Sequence, residues 1–162
     1  MKKIIIHLIL VINIIFYLSN TAVSKVVGDK IIVGTTFSIT GNSSTETLFY
    51  KNQFDRAIEG INSLGGVYVG GKSYQFEIIY YDDESNTNKA NHLIKRLIQN
   101  DGIQFLIVLQ NVKLSGQVKN IIEKNHISIA KSYEALSIYK EAFETVNSVK
   151  SKEIKNFILN NR

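Results

Sequence analysis

Apolar residues along this chain follow two rhythms, and the switches between them predict alternating strands and helices. Ile31, Ile32 and Val33 are consecutive and β-branched, as suits a strand covered on both faces. From Gly34 to Ser44 the chain turns to Thr, Ser, Gly and Asn, residues that favour a turn over continued pairing. Thr45 is expected to cap the next helix, with Glu46 placing negative charge near its positive end. Tyr50, Phe54, Ala57, Ile58, Ile61 and Leu64 then recur at three- and four-residue steps, one face of a helix, which Gly65 ends.

Val67 to Val69 and the alternating run Tyr74, Phe76, Ile78, Tyr80 predict a hairpin joined through Gly70-Gly71. The run Asp82 to Asn88 predicts a solvated turn, with Asn86 or Thr87 capping a helix built on Ala90, Leu93, Ile94, Leu97 and Ile98. Asn100-Asp101-Gly102 stops it. Phe105 to Leu109 reads as a buried strand, Leu114, Val118, Ile121 and Ile122 as a helix, and Ile127 to Ala130 as a short strand. This order implies right-handed βαβ crossovers: an α/β fold with an open parallel sheet flanked by helices. The tail repeats Ile138, Ala142, Val146 and Val149, then Ile154, Phe157 and Ile158, which fits one long amphipathic helix or two short ones.

The first segment stands apart. Lys2 and Lys3 precede an apolar run from Ile4 to Leu18, and Ala22-Val23-Ser24 offers small residues for cleavage. Residues 1–24 are therefore expected to be a secretory signal peptide, with an uncleaved anchor as the alternative. Residues 25–132 then form one domain and residues 133–162 a helical tail. The 162 residues contain no cysteine, which excludes disulfides and thiolate metal sites. The 19 basic and 14 acidic residues are interspersed, so the net charge of +5 does not point to nucleic acid.

Three motifs invite chemistry. Gly66 to Ser73 matches the phosphate-loop pattern G-x-x-x-x-G-K-[ST], but that chemistry needs a strand before the loop and a helix after it. Here a helix precedes and a strand follows. The adjacent Asp82, Asp83 and Glu84 lack the spacing and glycine of a calcium loop. His92 and His126 stand singly, without a nucleophile or a second ligand at metal spacing, so no catalysis is expected. Asn42-Ser43-Ser44 is a glycosylation sequon if the source is eukaryotic.

Taken in order, Ser38-Ile39-Thr40-Gly41, Ala57, Ile61-Asn62-Ser63-Leu64-Gly65-Gly66, Tyr80-Tyr81-Asp82-Asp83-Glu84-Ser85 and Ile98-Gln99-Asn100-Asp101-Gly102-Ile103 form a set. On these residues Ile31 to Leu109 resembles the N-terminal part of the branched-chain amino-acid-binding (leucine-binding) family of type I periplasmic solute-binding proteins. The resemblance implies the first of two lobes, an exported product, a small polar ligand such as an amino acid, no cofactor, and an ABC permease as partner. Those proteins close two lobes on a ligand, and this chain ends within what would be the first. Either a truncated or split product, with a chain supplying the missing lobe as candidate partner, or a shortened protein whose tail helix replaces missing sheet neighbours is expected, with an exposed apolar edge and marginal stability.

The family pattern also differs here. Asn42 stands for a proline and Glu46-Thr47 for an aromatic-glycine pair. Val112 stands where a serine receives the ligand's carboxylate, and an apolar side chain cannot supply that hydrogen bond. The expected ligand site lies where the loops after the first and third parallel strands meet, at Thr40, Asn42, Ser43, Ser44 and Asn111, with Glu46 facing an ammonium group or stabilising its helix. The leading expectation is the solute-binding component of an amino-acid importer. The alternative is an exported receptor-type or partner-binding fragment, and a nucleotide-hydrolysing enzyme comes third.

Overall fold

The computed structural model describes residues 26–27, 29–109, 112–132 and 134–161. The signal-peptide segment and Asn111 lie outside the described residues. The elements are β1 (Val26–Val27), β2 (Lys30–Phe37), α1 (Ser44–Ser63), β3 (Val67–Val69), β4 (Lys72–Asp82), α2 (Thr87–Gln99), β5 (Phe105–Ile107), α3 (Gly116–Lys124), β6 (Ser128–Ala130), α4 (Ala135–Val146) and α5 (Ser151–Asn160).

The sheet has the order β3-β4-β2-β5-β6, with β1 paired to the start of β2. β4, β2, β5 and β6 are parallel, whereas β1 and β3 pair antiparallel. Side-chain alternation sorts its residues onto two faces. On one face Ile31, Val33, Phe37, Phe76, Phe105 and Ile107 pack with residues of α1, α4 and α5. On the other, Ile32, Leu106 and Val108 pack with Ile94, Leu97 and Ile98 of α2 and Val118 and Ile122 of α3. The result is an α/β/α sandwich around a mostly parallel sheet.

The first parallel strand is longer than the apolar triplet suggests. β2 continues through Gly34, Thr35, Thr36 and Phe37, in register with Ile79 to Asp82 of β4. Thr35 and Thr36 are buried, since a β-branched threonine fits a pleated surface once its neighbours are strands. Gly34 is a packing residue here rather than a turn residue. A Cβ at this position would collide with Ile103 Cδ1 and lie 3.0 Å from Leu97 Cδ2, so its absence lets α2 settle close to the strand.

The helix stops read from the sequence are in place. Gly66 N–H donates to Ile61 O (2.9 Å) and Gly65 N–H to Asn62 O (3.1 Å), the paired bonds of a Schellman ending. β3 and β4 form the hairpin expected from Gly70-Gly71, both at positive φ, with Val69 opposite Lys72. The residues of the phosphate-loop pattern therefore span a hairpin. The tail is two helices: Asn147 adopts the left-handed conformation (φ 53°, ψ 41°) and ends α4, a conformation asparagine tolerates better than most residues. Its Oδ1 accepts a hydrogen bond from Gly70 N–H at 2.6 Å.

The tail helices cover the sheet. Tyr139 and Phe143 of α4 are fully buried against Phe105, with edge-on ring contacts at 5.7 and 4.9 Å between centroids. The Tyr139 hydroxyl reaches the carbonyl oxygens of Leu106 (2.9 Å) and Ser128 (2.8 Å). Ser151, at the start of α5, accepts from Ser128 N–H and reaches the His126 and Gln104 carbonyls. Two expectations need correction nearby. Thr45 lies inside the first turn of α1, whose N-cap position is Ser43. Exposed large apolar residues gather on α1 (Leu48, Phe49) and at Leu64 and Leu159, with Tyr68 alone on the edge strand β3.

Candidate functional site

In a parallel sheet, ligands gather outside the carboxyl ends of the strands, where neighbouring connections leave in opposite directions. Here that place is β2 and β5: the chain leaves β2 through α1 on one face, whereas the helix after β5, α3, lies on the other. Around the carboxyl ends of β2, β4 and β5 an open groove of about 180 Å³ is lined by Ser38, Ser43, Asp83, Ser85, Asn86, Thr87, Ala90 and Val112.

Two loops build its floor. Phe37 and Asp82 are opposite one another in the ladder, so the segments after β2 and β4 leave the sheet side by side. They are then stitched together. Ser38 Oγ donates to Asp83 Oδ1 (2.7 Å). Thr40 donates to Asp82 through its N–H (3.1 Å) and its hydroxyl (2.7 Å). Ser43 N–H donates to Ser85 Oγ (3.0 Å), and Ser85 Oγ donates on to Thr40 O (3.2 Å). Gly41, at φ 89°, lies so close to the second loop that a Cβ would meet Glu84 O at 2.5 Å. Thr47 fastens the start of α1 by donating to Ser38 O and Ser43 O.

The acidic turn is therefore not simply solvated. Asp83 is only 3% exposed, and Asp82, Asp83 and Glu84 take different partners: Thr40, Ser38 with Ser85 N–H, and Lys89. A carboxylate among well-placed donors is worth burying, because each charge-assisted bond offsets part of its desolvation. At Asp82, desolvation pulls the pKa up. The hydrogen bonds from Glu84 N–H and from the Thr40 hydroxyl and N–H outweigh it and hold the carboxyl below its ordinary value.

The remaining wall is the start of α2 and the loop before α3. Asn86 caps α2, its Oδ1 accepting from Asn88 N–H (2.9 Å) and Lys89 N–H (3.0 Å). One turn on, the buried Asn91 bridges to the loop before α3. Its amide donates to Thr87 O (2.8 Å) and Lys113 O (2.9 Å), and its Oδ1 accepts from Ser115 N–H (2.7 Å). This side chain positions Val112 at the groove.

Of the residues singled out from sequence, Ser43 lines the groove. Thr40 lies beside it with its hydroxyl given to Asp82, and Ser44 begins α1 with its N–H on Gly41 O (3.2 Å). Asn42 and Glu46 are exposed, on the loop and in the first turn of α1. Ser38, Asp83, Ser85, Asn86 and Thr87 had not been singled out as site residues, nor had Asn91 behind them. The available signal was the parallel pairing itself, which brings the residues after β4 beside those after β2. Among the described residues no group of three or more His, Asp or Glu converges as a metal site.

Strand order, groove position and helix layers together define an open α/β lobe. Solved structures place it more narrowly, as a partial lobe of the type I periplasmic-binding-protein fold. A protein from Silicibacter pomeroyi assigned as a branched-chain amino acid ABC transporter matches with a TM-score of 0.53 and 18% identity, over 72% of this chain and 29% of that one. The substrate-binding protein LivJ of the branched-chain amino acid transporter of Streptococcus pneumoniae, solved with isoleucine, matches with a TM-score of 0.50 and 19% identity, over 62% of this chain and 28% of that one. The chain thus spans less than a third of the length of these structures. No protein-family model matches it.

Proposed function

We propose that this protein is a solute-binding lobe: a non-catalytic, exported component of an ABC-type importer that presents one half of an amino-acid-sized site. The observation that carries this reading is the groove at the carboxyl ends of β2, β4 and β5, walled by hydroxyls, an amide and a carboxylate. Its volume, about 180 Å³, is below the roughly 300 Å³ at which small-molecule pockets usually begin. That suits half of a clamp, in which a second lobe closes over the solute and an ABC permease receives it. Among the described residues no helix is long and apolar enough to cross a membrane.

The test is thermal unfolding of the full chain with a panel of amino acids. A ligand that binds only the folded state at about a hundred times its Kd stabilises by roughly 2.7 kcal/mol. A cooperative transition raised by one solute class supports the reading, and a folded chain indifferent to the whole panel contradicts it.

A second reading rests on α1, where Phe49 is 61% exposed and Leu48 is 38% exposed. A partner-binding fragment without transport activity would cover this surface with another chain. Unfolding temperatures that rise with protein concentration and not with solute would favour that reading.

A further inference from the structure

We infer that the groove takes the cationic amine end of its solute and rejects a carboxylate, with Asp83 as the selecting residue; this rests on the solute-binding reading above. The direction of the hydrogen bonds sets the sign of the site. Ser38 spends its hydroxyl proton on Asp83, Ser85 spends its proton on Thr40 O, and Thr40 spends its own on Asp82. With their protons committed, these oxygens offer only lone pairs to a visitor. Asp83 receives both of its bonds, from the Ser38 hydroxyl and Ser85 N–H, on the single atom Oδ1. Oδ2 has no hydrogen-bond partner among the described residues, and Asp83 belongs to the groove wall. A carboxylate that is only 3% exposed as a residue and bonded through one oxygen alone is short of a donor, and an ammonium group supplies one with the matching charge.

The charged side chain and the capped helix amides that would favour an anion are already occupied. The first-turn amides of Asn88 and Lys89, at the positive end of α2, are given to the Asn86 cap. Lys89 pairs with Glu84. None of the described lining residues is basic, and Val112 offers no hydroxyl. The Ser43 and Thr87 hydroxyls and the Asn86 amide group remain able to donate, and these orient a polar solute without changing the sign of the site.

The experiment compares leucine with two relatives of similar shape, isoamylamine, which lacks the carboxylate, and isocaproate, which lacks the amine. Each is titrated against the full chain with thermal unfolding as readout. Isoamylamine is expected to bind at least about tenfold more tightly than isocaproate, a difference of roughly 1.4 kcal/mol. Asp83→Asn, which keeps the shape and an acceptor for Ser85 N–H, is expected to remove that preference. Should Asp83→Asn fail to fold, the wild-type ranking still decides. Isocaproate binding as well as or better than isoamylamine overturns the inference and leaves the solute-binding reading standing. Silence of all three compounds overturns both.

Discussion

Helices α1 and α2 follow the two central strands and both read as amphipathic, yet the fold holds them in different ways. In its 13 residues α2 buries Ala90, Asn91, Leu93, Ile94, Leu97 and Ile98. In its 20 residues α1 buries only Thr47 and Phe54. Beyond these, the half-buried Tyr50, Ile58 and Ile61 pack against the core, and polar contacts add to the hold on α1. Asn62, at its end, donates from Nδ2 to Phe76 O (2.9 Å) and accepts Phe76 N–H on Oδ1 (2.8 Å), so one side chain pairs with β4 as a strand would. Tyr80 donates to Asp55 at 2.8 Å, and Lys51 pairs with Asp55 from above the Tyr80 ring. Desolvation, then the bond to Asp55, pushes the Tyr80 hydroxyl well above its ordinary pKa, so it stays a donor at physiological pH. One wall of the groove is thus fixed by the core through α2, and the other rests on α1, which has fewer fully buried side chains and leans more on directional bonds. A ligand-gripping element is drawn from the less stable parts of a fold.

The comparison is sharpened most by the largest change. Leu97→Ala, at a site with no exposure, is expected to cost about 2–5 kcal/mol in chemical unfolding. A cost under 1 kcal/mol would mean that α2 is not the anchored helix. Asn62→Ala deletes both bonds to Phe76 and leaves a strand position partly unpaired, so a loss of about 2 kcal/mol is expected. Hydrogen exchange should then quicken in α1 before α2. Phe49→Ser, at an exposed site, should change stability by no more than about 0.5 kcal/mol. A larger loss would show that α1 packs against something there.

Acid tests the stitched loops. The native pKa of Asp82 lies below its ordinary 3.8. Its contribution is therefore fully present above the unfolded-state value and is lost as pH falls through the native one. Unfolding followed from pH 6 to pH 2 should show Asp82→Asn less stable than the parent near neutrality and less sensitive to acid below about pH 4. The one substitution expected not to destabilise is at Ser128, whose buried Oγ has no hydrogen-bond partner among the described residues. Ser128→Ala should be neutral or stabilising by up to about 1 kcal/mol.

The sequence conveyed periodic features well and pairwise ones poorly. The core positions of α2, the Gly-Gly hairpin and the Asn86 cap follow from local spacing and local chemistry, so each was readable where it occurs. β2 was cut short at Val33 because Thr35 and Thr36 have the residue types of a turn, and only their neighbours β4 and β5 make them strand. Gly34 read as a turn residue for the same reason: its role is set by Ile103 and Leu97, far along the chain. The acidic turn read as solvated because the donors that bury Asp83 include Ser38, which lies 45 residues earlier. Asn91 has the sequence position of an ordinary helix residue, and only the loop after β5 gives it a task. The site was legible on the β2 side, at Ser43, and not on the β4 side, where parallel pairing rather than motif decides membership.

The most direct test of the account is an amide NMR titration of the isotope-labelled full chain with leucine. The account predicts saturable shifts concentrated at Ser38, Ser43, Ser85, Thr87 and Val112, with α2 beyond its first turn unchanged. Shifts confined to the outer face of α1 around Phe49, or none at saturating solute, would contradict it.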